Sequence, residues 1–186
     1  MPQIIKKLLT FLFVFLLCFF YSGNIFAQEL KSKYFNMNIS NSADLFQILK
    51  KLDIKYLQHL DVAAPKDASD TKEMLKEAMD TLYLEVSDIL DIHMYSFQVN
   101  LEILPDKDSF NKVLEQVCGK QSDAPSFYFH ERNVIYISLD NIRLGILGHE
   151  LAHAIISHYF AVPPPEKIQE VLAAYVEYSL NKSLVK

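Results

Sequence analysis

Two histidines four residues apart with a glutamate directly after the first, His149-Glu150-Leu151-Ala152-His153, are the part of this chain best suited to chemistry. On a helix, residues i and i+4 share a face and lie about 6 Å apart along the axis. Both imidazoles can then reach one ion at the roughly 2.0–2.1 Å of a zinc–nitrogen bond. Glu150, three residues ahead of His153, stands at the flank of that face, where a carboxylate can take a proton from metal-activated water without ligating the metal. The pattern points to metal-assisted hydrolysis, with His149 and His153 as ligands and Glu150 as general base. Three fixed residues also recur by chance in about one chain in a hundred, so the flanking elements decide the matter.

Those elements begin with a helix predicted from Asp140 to Phe160, with Asp140 as its cap and Pro163-Pro164-Pro165 closing it. Gly145 and Gly148 interrupt it, although glycine inside a helix costs about 1 kcal/mol relative to alanine. A close neighbour is implied, either a strand or substrate backbone or simply a tightly packed helix. His158 lies roughly 140° around the helix from His153 at 100° per residue and points away from the metal. Tyr159 and Ile156 stand where a third histidine and a glycine would define the metzincin arrangement, which excludes that branch.

A catalytic zinc generally has three protein ligands and one open position. Glu166 to about Lys182 reads as a second helix, with Ile168, Val171, Leu172, Tyr175, Val176 and Leu180 as its apolar positions. Folding back antiparallel, it sets Glu170 opposite the two histidines, with Ala173 and Ala174 small enough for the helices to approach. Glu177 follows two turns on. It is suited either to receive the second N–H of a ligating histidine or to stand as an exposed charge near the helix end.

A helical HExxH followed by a helix whose glutamate completes the zinc site resembles the gluzincin peptidases. Many of them carry a pattern like W-x-x-E-G-x-A-x-Y-x-E on the second helix, against which this chain sets Ile168-Gln169-Glu170-Val171-Leu172-Ala173-Ala174-Tyr175-Val176-Glu177. Glu, Ala, Tyr and the last Glu fall in register, whereas the tryptophan and the glycine do not. The resemblance implies zinc as cofactor, Glu170 as third ligand and a peptide or protein as substrate. For the oxyanion donor of such enzymes, Tyr159, Tyr175, Tyr178 and His130 are all eligible, and the sequence selects none.

The N-terminus carries Lys6 and Lys7, an apolar run from Leu8 to Tyr21 and then Ser22-Gly23-Asn24-Ile25-Phe26-Ala27. This resembles a secretory signal peptide over residues 1–27, its apolar core shorter than the roughly 20 residues needed to span a bilayer. A secreted or periplasmic protein is expected; read instead as an uncleaved anchor, the same run holds the chain at a membrane. The full chain has 18 basic and 23 acidic residues, and the first 27 residues hold two lysines and no acid, so 16 against 23 remain and the charge is −7. Such an acidic surface argues against nucleic acid and anionic membranes as partners. Cys118 is the only cysteine left, so no internal disulfide forms and the thiol is expected to be a buried apolar group.

Between leader and motif, residues 28–42 read as a polar, asparagine-rich linker or arm, and 43–186 as one domain. Apolar spacing predicts helices over Asp44–Leu60 and Asp70–Leu90, separated by a loop at 63–67. Phe97–Leu104 alternates as a half-buried strand, Lys107–Val117 is a short helix, and Ser126–His130 with Val134–Leu139 forms a hairpin. His59, His93 and His130 are treated as non-ligands. The fold expected is α+β, a small zincin-like domain whose short mixed or antiparallel sheet packs on the motif helix and the glutamate-bearing helix. In relatives of this kind the strand beside the active-site helix offers its edge to a peptide, and Val134–Ser138 is the candidate, an interior strand fitting the same pattern equally. Two functions compete: a zinc-dependent peptidase, and a catalytically silent binding or assembly module of the cell envelope, the latter because only nine residues follow Glu177.

Overall fold

The computed structural model describes residues 26–40, 43–54, 57, 68–119 and 123–183. The apolar leader up to residue 25, the 63–67 loop, Tyr56 and His59 lie outside the described residues. Within them the chain is α+β, with a five-stranded mixed sheet and five helices. In chain order these are β1 (Phe26–Lys31), β2 (Phe35–Ser40), α1 (Leu45–Leu52), α2 (Ala68–Leu90), β3 (Val99–Leu104), α3 (Lys107–Cys118), β4 (Ser126–Phe129), β5 (Val134–Ser138), α4 (Leu144–Tyr159) and α5 (Glu166–Ser183). The strand order is β1-β2-β3-β5-β4, antiparallel at both edges and parallel in the middle.

Register follows from which side chains must leave water. Met37 pairs with Leu101 and Ile39 with Ile103 between β2 and β3, and Leu101 and Ile103 pair in turn with Ile135 and Ile137 of β5. A slip of one residue would turn each of these to the opposite face, forfeiting about 1.5–3 kcal/mol of burial per side chain. This face packs with α1, α2, α4 and α5 into the main core. The opposite face carries Asn36, Asn100 and Glu102 and is covered by α3, where Phe110 and Leu114 meet Leu104, Val134 and Tyr136. Cys118 lies half-buried beside this smaller cluster.

Residues 28–40 are not the loose arm expected from their asparagines. They form the β1–β2 hairpin, because Phe35, Met37 and Ile39 alternate with Asn36 and Asn38 and bury one side of β2. Asp80 of α2 fastens the turn, accepting from Ser32 Oγ at 2.7 Å and from the backbone N–H groups of Lys33 and Tyr34 at 3.1 and 2.9 Å. The folded domain thus includes the stretch expected to precede it.

Two further expectations are corrected. Helix α4 begins at Leu144 with Arg143 as its cap residue and no side-chain cap, so Asp140 does not cap it; Asp140 lies in a turn four residues ahead. The edge strand beside α4 is β4, whereas Val134–Ser138 is interior, paired with β3 on one side and β4 on the other. All five of its residues are buried, including alternate ones, as expected where both faces of the sheet are covered. Among the described residues no helix is long and apolar enough to cross a membrane.

Candidate metal centre

Helix α4 is buried on most of its circumference, ten of its sixteen residues being buried. It lies against α2, β4 and α5. Its two glycines answer the question of what comes close. A Cβ on Gly148 would run into Leu180 Cδ1, and one on Gly145 into the Asn181 side chain, both from α5. What approaches both glycines is a packed helix, not a strand or a substrate backbone; the packing requires glycine at Gly148, against the buried Leu180, while Gly145 meets only the exposed side-chain end of Asn181.

On the α5 side this packing uses Ala173, Val176 and Leu180, all buried. Ala174 faces solvent, and Ile168, Val171 and Tyr175, expected in the apolar stripe, are about half exposed or more. The residues flanking the true contact stripe, Glu170 and Glu177, therefore point along the seam toward the histidines.

There two ring nitrogens and a carboxylate converge. His149 Nε2 and His153 Nε2 are 3.3 Å apart, and the Glu170 carboxylate reaches both, its Oε2 3.5 Å from the first and its Oε1 3.3 Å from the second. Tetrahedral ligands about 2.0–2.1 Å from an ion stand about 3.3 Å from one another, so the two ring nitrogens have the spacing of two corners of a zinc tetrahedron, and one oxygen from Glu170 lies within 4.8 Å of both. The chemistry fits as well. Glu177 Oε2 lies 3.2 Å from His149 Nδ1, and because a carboxylate only accepts, Nδ1 carries the proton and Nε2 presents its lone pair to the centre. Two ring nitrogens and a carboxylate so placed could hold a metal ion. Burial holds the His153 pKa below the usual imidazole range, which keeps the ring neutral and able to ligate.

Glu150, next to His149 in the chain, lies on a different side. It is buried, at 8 % exposure, and its Oε1 accepts from the hydroxyl of Ser126 at 2.6 Å. It also accepts from the Tyr128 backbone N–H. Burial raises its pKa, while the Ser126 hydroxyl, His149 and the Tyr128 N–H pull the other way. The four residues singled out from the sequence are thus together: three facing one another, the fourth beside them. Ser126 was not among them. Alternation places it on the same strand face as Tyr128, but which helix residue that face meets is a tertiary fact.

Around these groups lies a cleft of about 810 Å³, within the range of small-ligand sites. Among the described residues four carboxylates line it, Glu150, Glu166, Glu170 and Glu177, and neither lysine nor arginine does. His130 lines it too, 5.4 Å ring to ring from His158. His158 is a packing residue, its Nδ1 2.9 Å from the Ala154 carbonyl and its ring 4.7 Å from that of Phe97. Of the tyrosines eligible as oxyanion donors, Tyr159, Tyr175 and Tyr178 are half exposed or more and none lines the cleft. His93 sits outside it beside Asp88 and Asp91.

Comparison of the chain with protein-family models, with curated proteins and with solved structures gave no match in any of the three. The residues themselves carry the functional reading.

Proposed function

We propose that this protein is an exported zinc-dependent peptidase of gluzincin type, built on a zincin-like domain, with His149, His153 and Glu170 as metal ligands and Glu150 as general base. The observation that carries the reading is the convergence of two ring nitrogens 3.3 Å apart with a carboxylate that stands 3.3 and 3.5 Å from them through its two oxygens, and a buried carboxylate beside them that is not part of this group. A cleft lined, among the described residues, by four carboxylates and by no lysine or arginine supports a cationic occupant.

Zinc, when bound, supplies a Lewis acid that polarises a carbonyl oxygen and acidifies water. The chain's own groups do the rest. Glu177 orients His149, and α4 packing holds both rings. Glu150, whose proton affinity is raised by burial, accepts the proton of the attacking water and delivers it to the leaving amine. The outer edge of β4, which pairs with no further strand among the described residues and lies beside Glu150, suits an extended peptide.

The test is to measure metal content and hydrolysis of a broad peptide library for the wild-type protein, Glu150→Gln and Glu170→Ala. Glu150→Gln should keep zinc and lose about 10²–10⁴-fold in turnover, and Glu170→Ala should lose zinc. A zinc-replete protein that cleaves nothing would favour the silent binding module; a wild-type protein that takes up no metal would refute both readings.

A further inference from the structure

We propose that Ser126 is a positioning residue that keeps Glu150 out of the metal's ligand set, so that this carboxylate serves as a base and not as a fourth protein ligand. The inference rests on the zinc reading of the site and concerns what divides the roles of its two nearest glutamates. Glu150 and Glu170 are chemically identical, and both stand beside the same imidazoles. Glu170 is half exposed and touches both rings. Glu150 is covered, adjoins His149 in the chain and lines the same cleft, which makes it the carboxylate that competes for the same cation once nothing holds it elsewhere.

What opposes that rotation is the edge strand. Ser126 is the first residue of β4, 4 % exposed, and its hydroxyl donates to Glu150 Oε1 at 2.6 Å. That is the length of a charge-assisted O–H···O⁻ bond, roughly twice as strong as a neutral one. Both ends of the bond are largely covered, and both residues line the cleft that holds the metal ligands, so losing the hydroxyl leaves the carboxylate without its strongest tie to the sheet and free to turn toward those ligands. The Tyr128 N–H alone cannot satisfy both oxygens, since it has a single proton. Ser126 therefore turns a potential ligand toward the sheet, on the side where a peptide would lie along β4.

Cobalt loaded in place of zinc tests this without requiring turnover, because its ligand-field absorption responds to both the identity and the number of its ligands. Cobalt-loaded wild-type, Ser126→Ala, Ser126→Thr and the double variant Ser126→Ala with Glu150→Gln are compared, with thermal midpoint and metal stoichiometry measured on each. The expected result is a ligand-field spectrum for Ser126→Ala that differs from wild type at unchanged stoichiometry, with the wild-type spectrum restored in Ser126→Thr, which keeps the hydroxyl, and in the double variant, which removes the intruding carboxylate. Where peptide cleavage is measurable, Ser126→Ala should lower kcat about tenfold or more with KM little changed. A Ser126→Ala spectrum identical to wild type overturns the inference alone. A wild-type protein that binds no cobalt or zinc overturns the metal reading and the inference together. Spectral changes as expected in a protein that cleaves nothing support the positioning role and remove only the peptidase reading.

Discussion

Helices α4 and α5 share one metal site but are built in opposite ways. Helix α4 is enclosed by β4, α2 and α5, and ten of its residues are buried; it delivers His149, Glu150 and His153 from a scaffold with little freedom. Helix α5 is held along a single stripe, Ala173, Val176 and Leu180, and shows solvent the faces bearing Val171, Tyr175 and Tyr178. It delivers Glu170, which is half exposed. On the proposed reading, the difference teaches that the base and two ligands are organised by folding itself, whereas the third ligand is organised by one seam and by the cation it would bind. Damage on α4 should appear as lost stability, and damage on the ligand face of α5 as lost metal.

Removing the third ligand breaks the comparison most sharply. Glu170→Ala should weaken zinc more than the 10–100-fold typical of losing a carboxylate that merely orients a ligand, while leaving the metal-free thermal midpoint nearly unchanged; competition with a chelating dye and a melting curve would read both. Glu177→Gln should fall in that 10–100-fold range, since it spares the ligand set and disturbs only the partner of His149 Nδ1. Equal losses for the two variants would contradict the assignment of Glu170 as ligand.

The seam is probed by its glycines. At Gly148 the added methyl meets the buried Leu180, and overpacking of about 1–3 kcal/mol exceeds the roughly 1 kcal/mol of helix propensity gained from alanine. At Gly145 it meets the side-chain end of Asn181, which is exposed and can swing aside. Gly148→Ala should therefore destabilise and Gly145→Ala be neutral or stabilising in urea unfolding. The reverse order would mean that the helices do not approach as described.

A pH series on the metal-free protein examines the cost of enclosing a carboxylate in α4. The folded-state pKa of Glu150 is raised, with burial as the main cause. A group so shifted contributes stability below its unfolded pKa of about 4.3 and loses it as pH rises through the folded value. Glu150→Gln should thus be more stable than wild type at neutral pH and converge with it in acid. The smallest effect is expected on the outer face of α5, where Val171→Ala and Tyr175→Ala should change stability by no more than about 0.5 kcal/mol.

Much of this was legible in local pattern. Leu45, Ile48, Leu49 and Leu52 mark α1 at helical spacing, and all four are buried. Val99, Leu101 and Ile103 mark β3 by alternation. The hairpin of β4 and β5 follows from two apolar runs around Glu131-Arg132-Asn133, with Asn133 in the left-handed conformation that closes it. The β1–β2 hairpin escaped because asparagines at alternate positions give a polar composition while the intervening residues still bury one face. The apolar positions of α5 misled for a related reason: spacing shows that a stripe exists but not which of two adjacent stripes meets a neighbour.

By itself, then, the order of residues determined the chemical inventory: two imidazoles one turn apart, a glutamate between them, and a second acidic helix after three prolines. These are local facts, set by helix geometry and backbone preference within about twenty residues. Tertiary structure decided which strand is the edge, what approaches Gly145 and Gly148, and that Ser126 meets Glu150 from 24 positions away. Contacts of that range depend on how sheet and helices pack against one another, and packing is a property of the assembled core that no single segment encodes.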